Sequence, residues 1–359
     1  MNYPIVFIPG LFGSLGDDVI KGTGEFSFGL AEKIYKPFIE ILNSMGYIEG
    51  LNLFVSYYDW KMSVLDAVNK YLYQDIEIIK HKTGMNKVIL IGHSLGGLLG
   101  RAYINYFSPD SVDKLIMIGT PNLGAVNAYY FWSGGKLPYQ KVEDNPLYNA
   151  LKIGFIMYLN IFQKENYIET LREAFPVAKD LLPSYKYESY LFYNKDGTKR
   201  GIPIEEMTIN NSFLNRLEDE TNNAYNKYFI VSGTGIKTNK KFLVDINDSG
   251  KTKWTDGKPI KTYVTNRGDG TVITDSTLGC LNADSIVIEG NHTDILYKSA
   301  DYLSAILEKP IVKETKISKA EKAYNIFTDN IAKAGIDIKS KNVQVVKISS
   351  DKYWVMVTE

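Results

Sequence analysis

The segment Gly-His-Ser-Leu-Gly at residues 92–96 places a serine where it could act as a nucleophile. It has the pattern G-x-S-x-G, in which a sharp turn between a strand and a helix exposes the serine hydroxyl. An apolar run at residues 87–91 precedes it and a helical pattern at residues 95–107 follows it. We predict that Ser94 is a nucleophile at a helix N-terminus, where the dipole favours developing negative charge. The alternative is a structural glycine-rich turn.

A serine nucleophile needs a base, and the chain has three histidines. His93 is the neighbour of the serine, and its side chain cannot fold back to the serine hydroxyl within such a turn. His81 ends a polar helical segment, which is typical of a solvated surface residue. His292 follows an apolar run at residues 285–288 and is therefore expected at the carboxyl edge of a parallel sheet, where active sites lie. We predict that His292 is the general base.

An acid that orients the base is expected between the serine and the histidine in chain order. Asp269 has a glycine on each side, which frees the backbone to direct its carboxylate. Asp275 and Asp284 are the alternatives. The predicted triad of Ser94, Asp269 and His292 has the chemistry of acyl transfer from an ester through an acyl-enzyme.

Acyl transfer also needs backbone donors for the oxyanion. One should be the N–H of Leu95, the residue after the nucleophile. The second should come from the glycine-flanked loop at residues 9–14, where we favour Leu11 and place Phe12 second. Loss of one such donor costs about 3 to 4 kcal/mol in the transition state. A structural turn is the alternative for this loop.

Strands and helices alternate in the pattern, which predicts an α/β fold with a mostly parallel sheet covered on both faces. Strands are expected at residues 3–9, 51–56, 87–91, 113–118, 227–232 and 285–288, and helices at residues 28–45, 63–80, 95–107 and 294–307. Polar stretches near residues 248–250 and 256–258 suggest a hairpin.

The same pattern divides the chain. We assign residues 1–121 and 226–309 to the α/β core, residues 122–225 to a lid or cap insertion, and residues 310–359 to a small βαββ-like α+β unit. Within the insertion, residues 147–162 carry a single charge and are either a buried helix or a lid that binds an acyl chain. Phe155 and Leu159 of this segment are predicted substrate contacts. Trp60 is a third, although a packed tryptophan with its indole N–H satisfied is the slightly favoured interpretation.

Composition excludes several other classes. Acidic and basic residues number 41 each, so no net charge attracts nucleic acid. The chain shows no calcium loop, histidine pair or dinucleotide fingerprint, and we expect neither a metal nor a cofactor. A single cysteine, Cys280, excludes an internal disulfide framework. No run reaches the roughly 18 to 20 apolar residues of a membrane span. Because the first residues lack the basic and apolar pattern of a secretory signal peptide, we expect a cytoplasmic protein, or else a processed secreted form.

Five stretches of this sequence resemble the α/β-hydrolase lipases and, more narrowly, the lecithin:cholesterol acyltransferase-like group. They are VFIPGLFGS, YYDWK, GHSLGG, FPVAKDLLP, and GDGTV with the later NHTDIL. Lys61 departs from the arginine usual in that group. The resemblance implies an α/β-hydrolase that hydrolyses lipid acyl esters, with a lipid or small-molecule ester as partner and transient contact with a membrane or lipid interface. The alternatives are an acyltransferase to a lipid alcohol and a non-catalytic module that binds a lipid or partner.

Overall fold

A computed structural model describes residues 3–18, 23–136, 167–220, 227–250, 253–279, 281 and 283–311, together with the strands Asn342–Lys347 and Tyr353–Thr358. Its centre is a six-stranded sheet in which every pair of neighbours is parallel, in the order β12-β9-β6-β5-β1-β4. The strands are β1 (Ile5–Ile8), β4 (Leu53–Val55), β5 (Val88–His93), β6 (Val112–Ile118), β9 (Tyr228–Thr234) and β12 (Asp284–Glu289).

The apolar runs explain the central strands. Every residue of β1 and β5 is buried, as expected for parallel strands covered on both faces. The helices that flank them are α1 (Glu32–Ser44), α2 (Val64–Ala67), α3 (Tyr73–Thr83), α4 (Leu95–Tyr106), α10 (Asp294–Lys298) and α11 (Ala300–Leu307). The predicted strand and helix positions of the core are therefore present, with small shifts at their ends, and the single helix predicted at residues 294–307 is divided into α10 and α11 at Ser299.

One predicted helix is built differently. The segment expected at residues 63–80 begins where the Ser63 hydroxyl accepts the N–H of Asp66, and α2 and α3 are joined by a π turn at Val68–Leu72. A π turn adds one residue to a helical turn and is not visible in an apolar spacing of three to four residues.

A second sheet was not predicted as such. It has the order β11-β10-β7-β8, with β7 (Leu191–Lys195), β8 (Thr198–Ile202), β10 (Thr238–Asp245) and β11 (Lys258–Thr265). The strands β10 and β11 form the hairpin expected from the turn residues, but β10 pairs in parallel with β7 of the insertion. The hairpin therefore belongs to a sheet shared with the insertion, whereas the sequence assigned residues 226–309 wholly to the core.

The remaining elements are shorter. A small antiparallel pair of β2 (Leu15–Asp18) and β3 (Thr23–Ser27) follows the first core strand. The described helices of the insertion are α5 (Asn127–Gly134), α6 (Tyr167–Ala174), α7 (Val177–Asp180) and α8 (Ser212–Asp219), and α9 (Thr274–Leu278) follows β11. The predicted segment at residues 147–162 lies outside the described residues.

The chain divides into two compact units, Met1–Pro310 and Ile311–Glu359. In the second unit, β13 (Asn342–Lys347) pairs antiparallel with β14 (Tyr353–Thr358), at the positions of the expected hairpin. The strand and helix expected at residues 311–315 and 318–334 lie almost wholly outside the described residues.

Within the described ranges, none of the helices has the length and apolar character needed to cross a membrane. The same ranges hold no group of three or more histidine, cysteine, aspartate or glutamate side chains arranged to bind a metal ion.

Candidate active site

Ser94 lies in a strained turn between β5 and α4. Its φ is +52° and its ψ is −122°, in a region that a residue with a side chain rarely adopts. The Ser94 N–H donates to the carbonyl of Ile118 on the neighbouring strand, at 2.8 Å. The glycines of the turn are required by space, because a Cβ at Gly96 would lie 2.1 Å from the carbonyl oxygen of Ile8. The backbone thus forms the sharp strand-to-helix turn expected for an exposed nucleophile.

Asp269 and His292 form a buried pair. Their exposed fractions are 1% and 8%, and the Asp269 Oδ2 lies 2.7 Å from the His292 Nδ1. The other carboxylate oxygen accepts the N–H groups of Thr271 and Val272, at 2.9 and 2.7 Å. The backbone N–H of His292 also donates to the backbone carbonyl of Asp269, at 2.9 Å. The carboxylate is therefore held from both sides, with one oxygen directed at the imidazole.

The loop that carries His292 is fixed by its neighbours. The Asn291 side-chain oxygen accepts the N–H groups of Thr293 and Asp294, at 3.0 and 2.9 Å, at the start of α10. On the opposite side Gly119 has a φ of +62°, and a Cβ there would lie 3.1 Å from the imidazole. A glycine at residue 119 thus leaves the ring room to lie against the end of β6.

Ser94 and His292 line one cavity of about 80 Å³. Leu11 and Leu95 belong to the same wall, and Asp269 lies behind His292. The other lining residues are Gly10, Ala31, Ile34, Tyr35, His93, Pro121, Ala125, Leu181, Thr271, Val272 and Thr293. Four of the residues predicted for the reaction therefore meet at one largely apolar cavity.

The loop after β1 forms a tight turn beside this cavity. The Gly13 N–H donates to the Gly10 carbonyl at 3.0 Å, and Phe12 takes a φ of +62°. The turn brings Leu11 to the cavity wall. Leu95 is the first residue of α4, so its N–H has no acceptor within the helix. Both proposed oxyanion donors thus border the cavity, whereas Phe12 is not among the residues that line it.

Trp60 is buried in an aromatic cluster. Its ring lies 4.6 Å from Phe12 in an edge-to-face contact and 5.7 Å from Phe175 in a stacked one. Trp60 is not among the residues that line the cavity. The structure thus places this side chain between the oxyanion loop and the insertion. Phe155 and Leu159 lie outside the described residues, and all three substrate contacts stay predictions.

The alternatives for the acid and the base have other contacts. Asp275 forms an ion pair with Arg267 at 2.8 Å, and Asp284 accepts the hydroxyl of Tyr302 at 3.2 Å. His81 is an exposed residue of α3. The pairing of Asp269 with His292 is the arrangement that the chain order favoured.

Sequence reasoning did not identify two tyrosines beside the site, and it dismissed His93 as a base without giving it a role. Tyr35 of α1 lies 2.9 Å from the Nδ1 of His93, and the Nε2 of His93 lies 2.9 Å from the carbonyl oxygen of His292. Burial lowers the pKa of His93 to about 3, so this imidazole is neutral. Tyr58 belongs to the YYDWK stretch, which contributed to the family resemblance but was given no function in the sequence analysis.

The geometry can be compared with known proteins. The family model described as lecithin:cholesterol acyltransferase matches residues 23–150. A phospholipase A(1), LCAT3 of Arabidopsis thaliana, is 34% identical over 96 residues, a match that covers 25% of this chain and 21% of that relative. The structure of the Tle4–Tli4 complex aligns with a TM-score of 0.51 at 12% identity, covering 85% of this chain and 97% of that one.

The chain has an α/β-hydrolase fold and is similar, over residues 23–150, to the lecithin:cholesterol acyltransferase family. The predicted fold and resemblance are confirmed. The mature lipase BlEst2 of Bacillus licheniformis also aligns, with 15% identity, coverage of 85% and 92%, and a TM-score of 0.45. The family match includes the turn at Ser94 and ends before Asp269, so the similarity to that family covers only the first part of the candidate site.

Proposed function

We propose that this α/β-hydrolase cleaves carboxylic esters of lipids through a Ser94, His292 and Asp269 triad and an acyl-enzyme. The observation that carries the proposal is the convergence of a strained serine and a carboxylate-paired histidine on one cavity. A buried carboxylate bonded to an imidazole whose ring faces a serine-lined cavity is the arrangement of acyl-transfer enzymes.

The proposed reaction begins with proton transfer from Ser94. With the Nδ1–H of His292 donated to Asp269, the Nε2 is the basic nitrogen and takes the hydroxyl proton as the oxygen attacks the ester carbonyl. The tetrahedral intermediate then expels the alcohol, which receives that proton from His292. Water, deprotonated by the same nitrogen, releases the fatty acid and restores the serine.

The negative charge of the tetrahedral intermediate needs donors. The N–H groups of Leu95 and Leu11 border the cavity on either side of Ser94 and are the proposed pair. Preorganised backbone donors of this kind act without reorientation during the reaction, which is the source of their effect on rate.

A labelling experiment tests the nucleophile. The protein should react stoichiometrically with a fluorophosphonate and show a burst of p-nitrophenol with a p-nitrophenyl ester, and Ser94→Ala should do neither. Ser304→Ala, which removes a partly buried serine hydroxyl in α11, is the matched control. Turnover that persists in Ser94→Ala contradicts the proposal, and failure of the native protein to react favours a binding module.

The acyl group is the second part of the proposal. The described cavity, at about 80 Å³, is well below the roughly 300 to 1,000 Å³ of a site that encloses a whole small molecule. It accommodates the ester group and the first carbons of a chain, so the rest of the acyl chain has to bind beyond it. A series of esters from two to sixteen carbons, roughly, would show kcat/KM rising with length, because each buried methylene contributes about 0.8 kcal/mol.

Transfer to a lipid alcohol is the second candidate, and the description of the matched family favours testing it. The same triad would serve, with an alcohol in place of water. Addition of a long-chain alcohol to the assay should then yield a new ester at the expense of free fatty acid. Product that is fatty acid alone, at every alcohol concentration, assigns the protein to hydrolysis.

Contact with a lipid surface is the third part. Lys199, Lys241 and Lys261 carry their ammonium groups over aromatic rings of the second sheet, with nitrogens 4.9, 4.9 and 5.5 Å from the ring centroids. None of the three forms an ion pair with a carboxylate among the described residues. A cationic, aromatic surface suits an anionic lipid headgroup layer.

Vesicle sedimentation tests this contact. Vesicles with phosphatidylserine should bind the protein more strongly than phosphatidylcholine vesicles, and the difference should disappear when the three lysines are changed to glutamate. The control changes Lys33, Lys36 and Lys70 to glutamate, which alters the net charge equally on other exposed positions. Equal loss of binding in both triple variants would contradict a specific surface.

A further inference from the structure

One peptide group beside the site is held at both of its polar atoms. The hydroxyl of Tyr58 donates to the Pro9 carbonyl at 2.7 Å, and the Gly10 N–H donates to the hydroxyl of Tyr35 at 2.9 Å. Both tyrosines are buried. The next peptide group along the chain, between Gly10 and Leu11, carries the N–H that is the proposed oxyanion donor. The two bonds therefore fix the plane of the peptide group through which the backbone enters Gly10, the residue before the donor.

The hydrogen bonds that hold this peptide group continue through His93 to the loop of the proposed base. We call the side chains of Tyr58, Tyr35 and His93 the clamp. The carbonyl of His292 can only accept, so the Nε2 of His93 carries the proton of their 2.9 Å bond. The Nδ1 of His93 is then an acceptor, and the hydroxyl of Tyr35 donates a hydrogen bond to it at 2.9 Å. Tyr35 in turn accepts from Gly10. Each donor has one acceptor, and the direction of every bond follows from the chemistry of its ends.

Electrostatics keep these groups in the required states. Burial lowers the pKa of His93 to about 3 and raises the pKa values of Tyr35 and Tyr58 well above the ordinary value. The imidazole therefore stays neutral and both phenols stay protonated throughout the range in which a serine hydrolase works. The bonds of the clamp do not change with pH in that range.

The loop after β1 is closely packed, so its position depends on the clamp. A Cβ at Gly13 would lie 2.5 Å from the ring of Tyr35, and one at Gly10 would lie 2.9 Å from the Cβ of Ser94. The loop after β1 thus lies directly against both Tyr35 and the nucleophile, with no space for an intervening side chain. A displacement of Gly10 would move the Leu11 N–H relative to Ser94, because Gly10 and Leu11 share the next peptide group.

We propose that Tyr58, Tyr35 and His93 are positioning residues that set the oxyanion donor of Leu11 and the backbone of His292 against Ser94. This inference rests on the proposed ester hydrolysis and assigns a function to the YYDWK stretch and to the histidine of the GHSLGG stretch. The residue before the nucleophile thereby connects the oxyanion loop, α1 and the loop of the base.

The test removes one hydroxyl at a time. Tyr35→Phe and Tyr58→Phe are each expected to lower kcat by about 10-fold to 100-fold, somewhat less than complete loss of an oxyanion donor, because a shifted donor still acts. KM should change little, since the ground-state ester does not depend on this N–H. The rate of phosphonylation by a small fluorophosphonate, which also builds charge on an oxygen, should fall in parallel.

Tyr297→Phe is the matched control. The Tyr297 hydroxyl donates to the carbonyl of Ile34 at 2.7 Å, so this variant also deletes one hydroxyl bonded to the backbone, here at the neighbour of Tyr35 in α1. It should lower the melting temperature to a similar extent while leaving kcat and the phosphonylation rate unchanged. A general loss of packing would affect the control and the two clamp variants alike.

Non-additivity separates positioning from packing. The double variant Tyr35→Phe with Tyr58→Phe should lose no more kcat than the single variant with the larger effect, because both hydroxyls hold the same peptide group.

A second test uses His93. His93→Gln can keep the bond to the His292 carbonyl, whereas His93→Leu cannot, so the glutamine variant should retain more activity. Should Tyr35→Phe not fold, Tyr58→Phe carries the same test from the other side of the peptide group.

The outcomes are distinct. If the native protein neither hydrolyses esters nor reacts with the fluorophosphonate, the proposed function itself is wrong. Native protein that does both, with folded Tyr35→Phe and Tyr58→Phe variants as active as Tyr297→Phe, overturns the positioning assignment and leaves the triad in place. Strictly additive losses in the double variant also overturn it.

Discussion

Ser94 is held in a conformation that few residues other than glycine adopt. Its φ of +52° carries a cost of about 1 to 3 kcal/mol, which the surrounding structure has to offset. The bond from its N–H to Ile118 and the exclusion of any side chain at Gly96 show how the environment determines this conformation. The strain is localised where the proposed nucleophile is presented to the cavity.

The carboxylate of Asp269 gives the clearest prediction for a single residue. Its Oδ1 accepts two backbone N–H groups, so in Asp269→Asn the amide oxygen should keep those bonds and the amide NH₂ should face the His292 Nδ1. The imidazole must then carry its proton on Nε2, where it cannot accept from Ser94. We expect kcat to fall by about 10⁴-fold with little change in folding, measured by ester hydrolysis and circular dichroism.

Asp275→Asn is the control for that prediction. Asp275 is exposed and pairs with Arg267 and Lys240, so its loss should leave kcat within a factor of about two. If Asp275→Asn abolished activity while Asp269→Asn retained it, the acid of the triad would be misassigned.

At the scale of elements, buried charges attach the insertion to the core. Arg101 of α4 and Glu218 of α8 form an ion pair at 2.8 Å, with exposed side-chain fractions of 0% and 1%. Arg101 also donates to the Asn122 side chain at 3.1 Å, and Asn122 donates to the Thr277 carbonyl at 2.6 Å. The helix that follows Ser94 is thereby bonded both to the insertion and to α9, close to the acid.

Removal of Glu218 should therefore be costly. Glu218→Ala leaves the charge of Arg101 buried without its carboxylate, and we expect a loss of about 3 to 5 kcal/mol in the free energy of unfolding, measured by urea denaturation. Arg101→Met with Glu218→Met should recover most of that loss, because no isolated charge remains. A Glu218→Ala variant as stable as the native protein would show that water or another group reaches Arg101.

Asp180 of α7 makes a second attachment with a pH dependence. Its carboxylate accepts the N–H of Val64 at the start of α2, at 2.7 Å, and burial raises its pKa from 3.8 to about 6. Because the folded state then binds more protons than the unfolded state between about pH 4 and pH 6, this group makes the native protein less stable as pH rises through that window.

Asp180→Asn should remove this dependence. The amide oxygen can still accept the Val64 N–H, and no charge is buried. The stability of the variant relative to the native protein should rise between about pH 4 and pH 6, by up to about 3 kcal/mol, and then stay constant. Urea denaturation at several pH values measures the difference, with Asp301→Asn, an exposed carboxyl of α11, as the control. A difference that is the same at every pH would contradict the assignment.

The two sheets show what the sequence could and could not predict. The strands of the central sheet are continuous apolar runs and the turn at Ser94 has a local pattern, so both were visible. The pairing of Leu191 with Phe242 joins residues far apart in the chain, and nothing near either one specifies the other. The helix predicted at residues 28–45 likewise placed Tyr35 in α1, but its hydroxyl partner His93 lies on another element.

At the scale of the whole molecule, the site is assembled from distant parts of one compact unit. Ser94 lies within the family match at residues 23–150, whereas Asp269 and His292 lie more than a hundred residues beyond its end. The strands β5 and β12, which precede Ser94 and His292, end at the same edge of the parallel sheet. Asp269 follows β11 of the second sheet and lies against the end of β9, where a Cβ at Gly233 would be 2.5 Å from the Asp269 Cβ. The chain order of serine, acid and histidine favoured Asp269, and the structure places this residue beside His292, while the catalytic functions of all three stay predictions.

The division after Pro310 leads to the last prediction. Both sheets, the candidate triad and the two tyrosines of the clamp all lie within Met1–Pro310, and every strand pairing of the two sheets joins residues of that unit. A chain that ends at residue 310 should therefore fold cooperatively, with kcat for a short soluble ester within a factor of about two of the full chain. Thermal unfolding and ester hydrolysis of both chains measure this.

A truncated chain that aggregates, or that folds and loses turnover, would show that residues 311–359 contribute to the stability or to the site of the first unit. An unchanged rate on the short ester with a reduced rate on lipid vesicles would instead assign those residues to the presentation of the substrate.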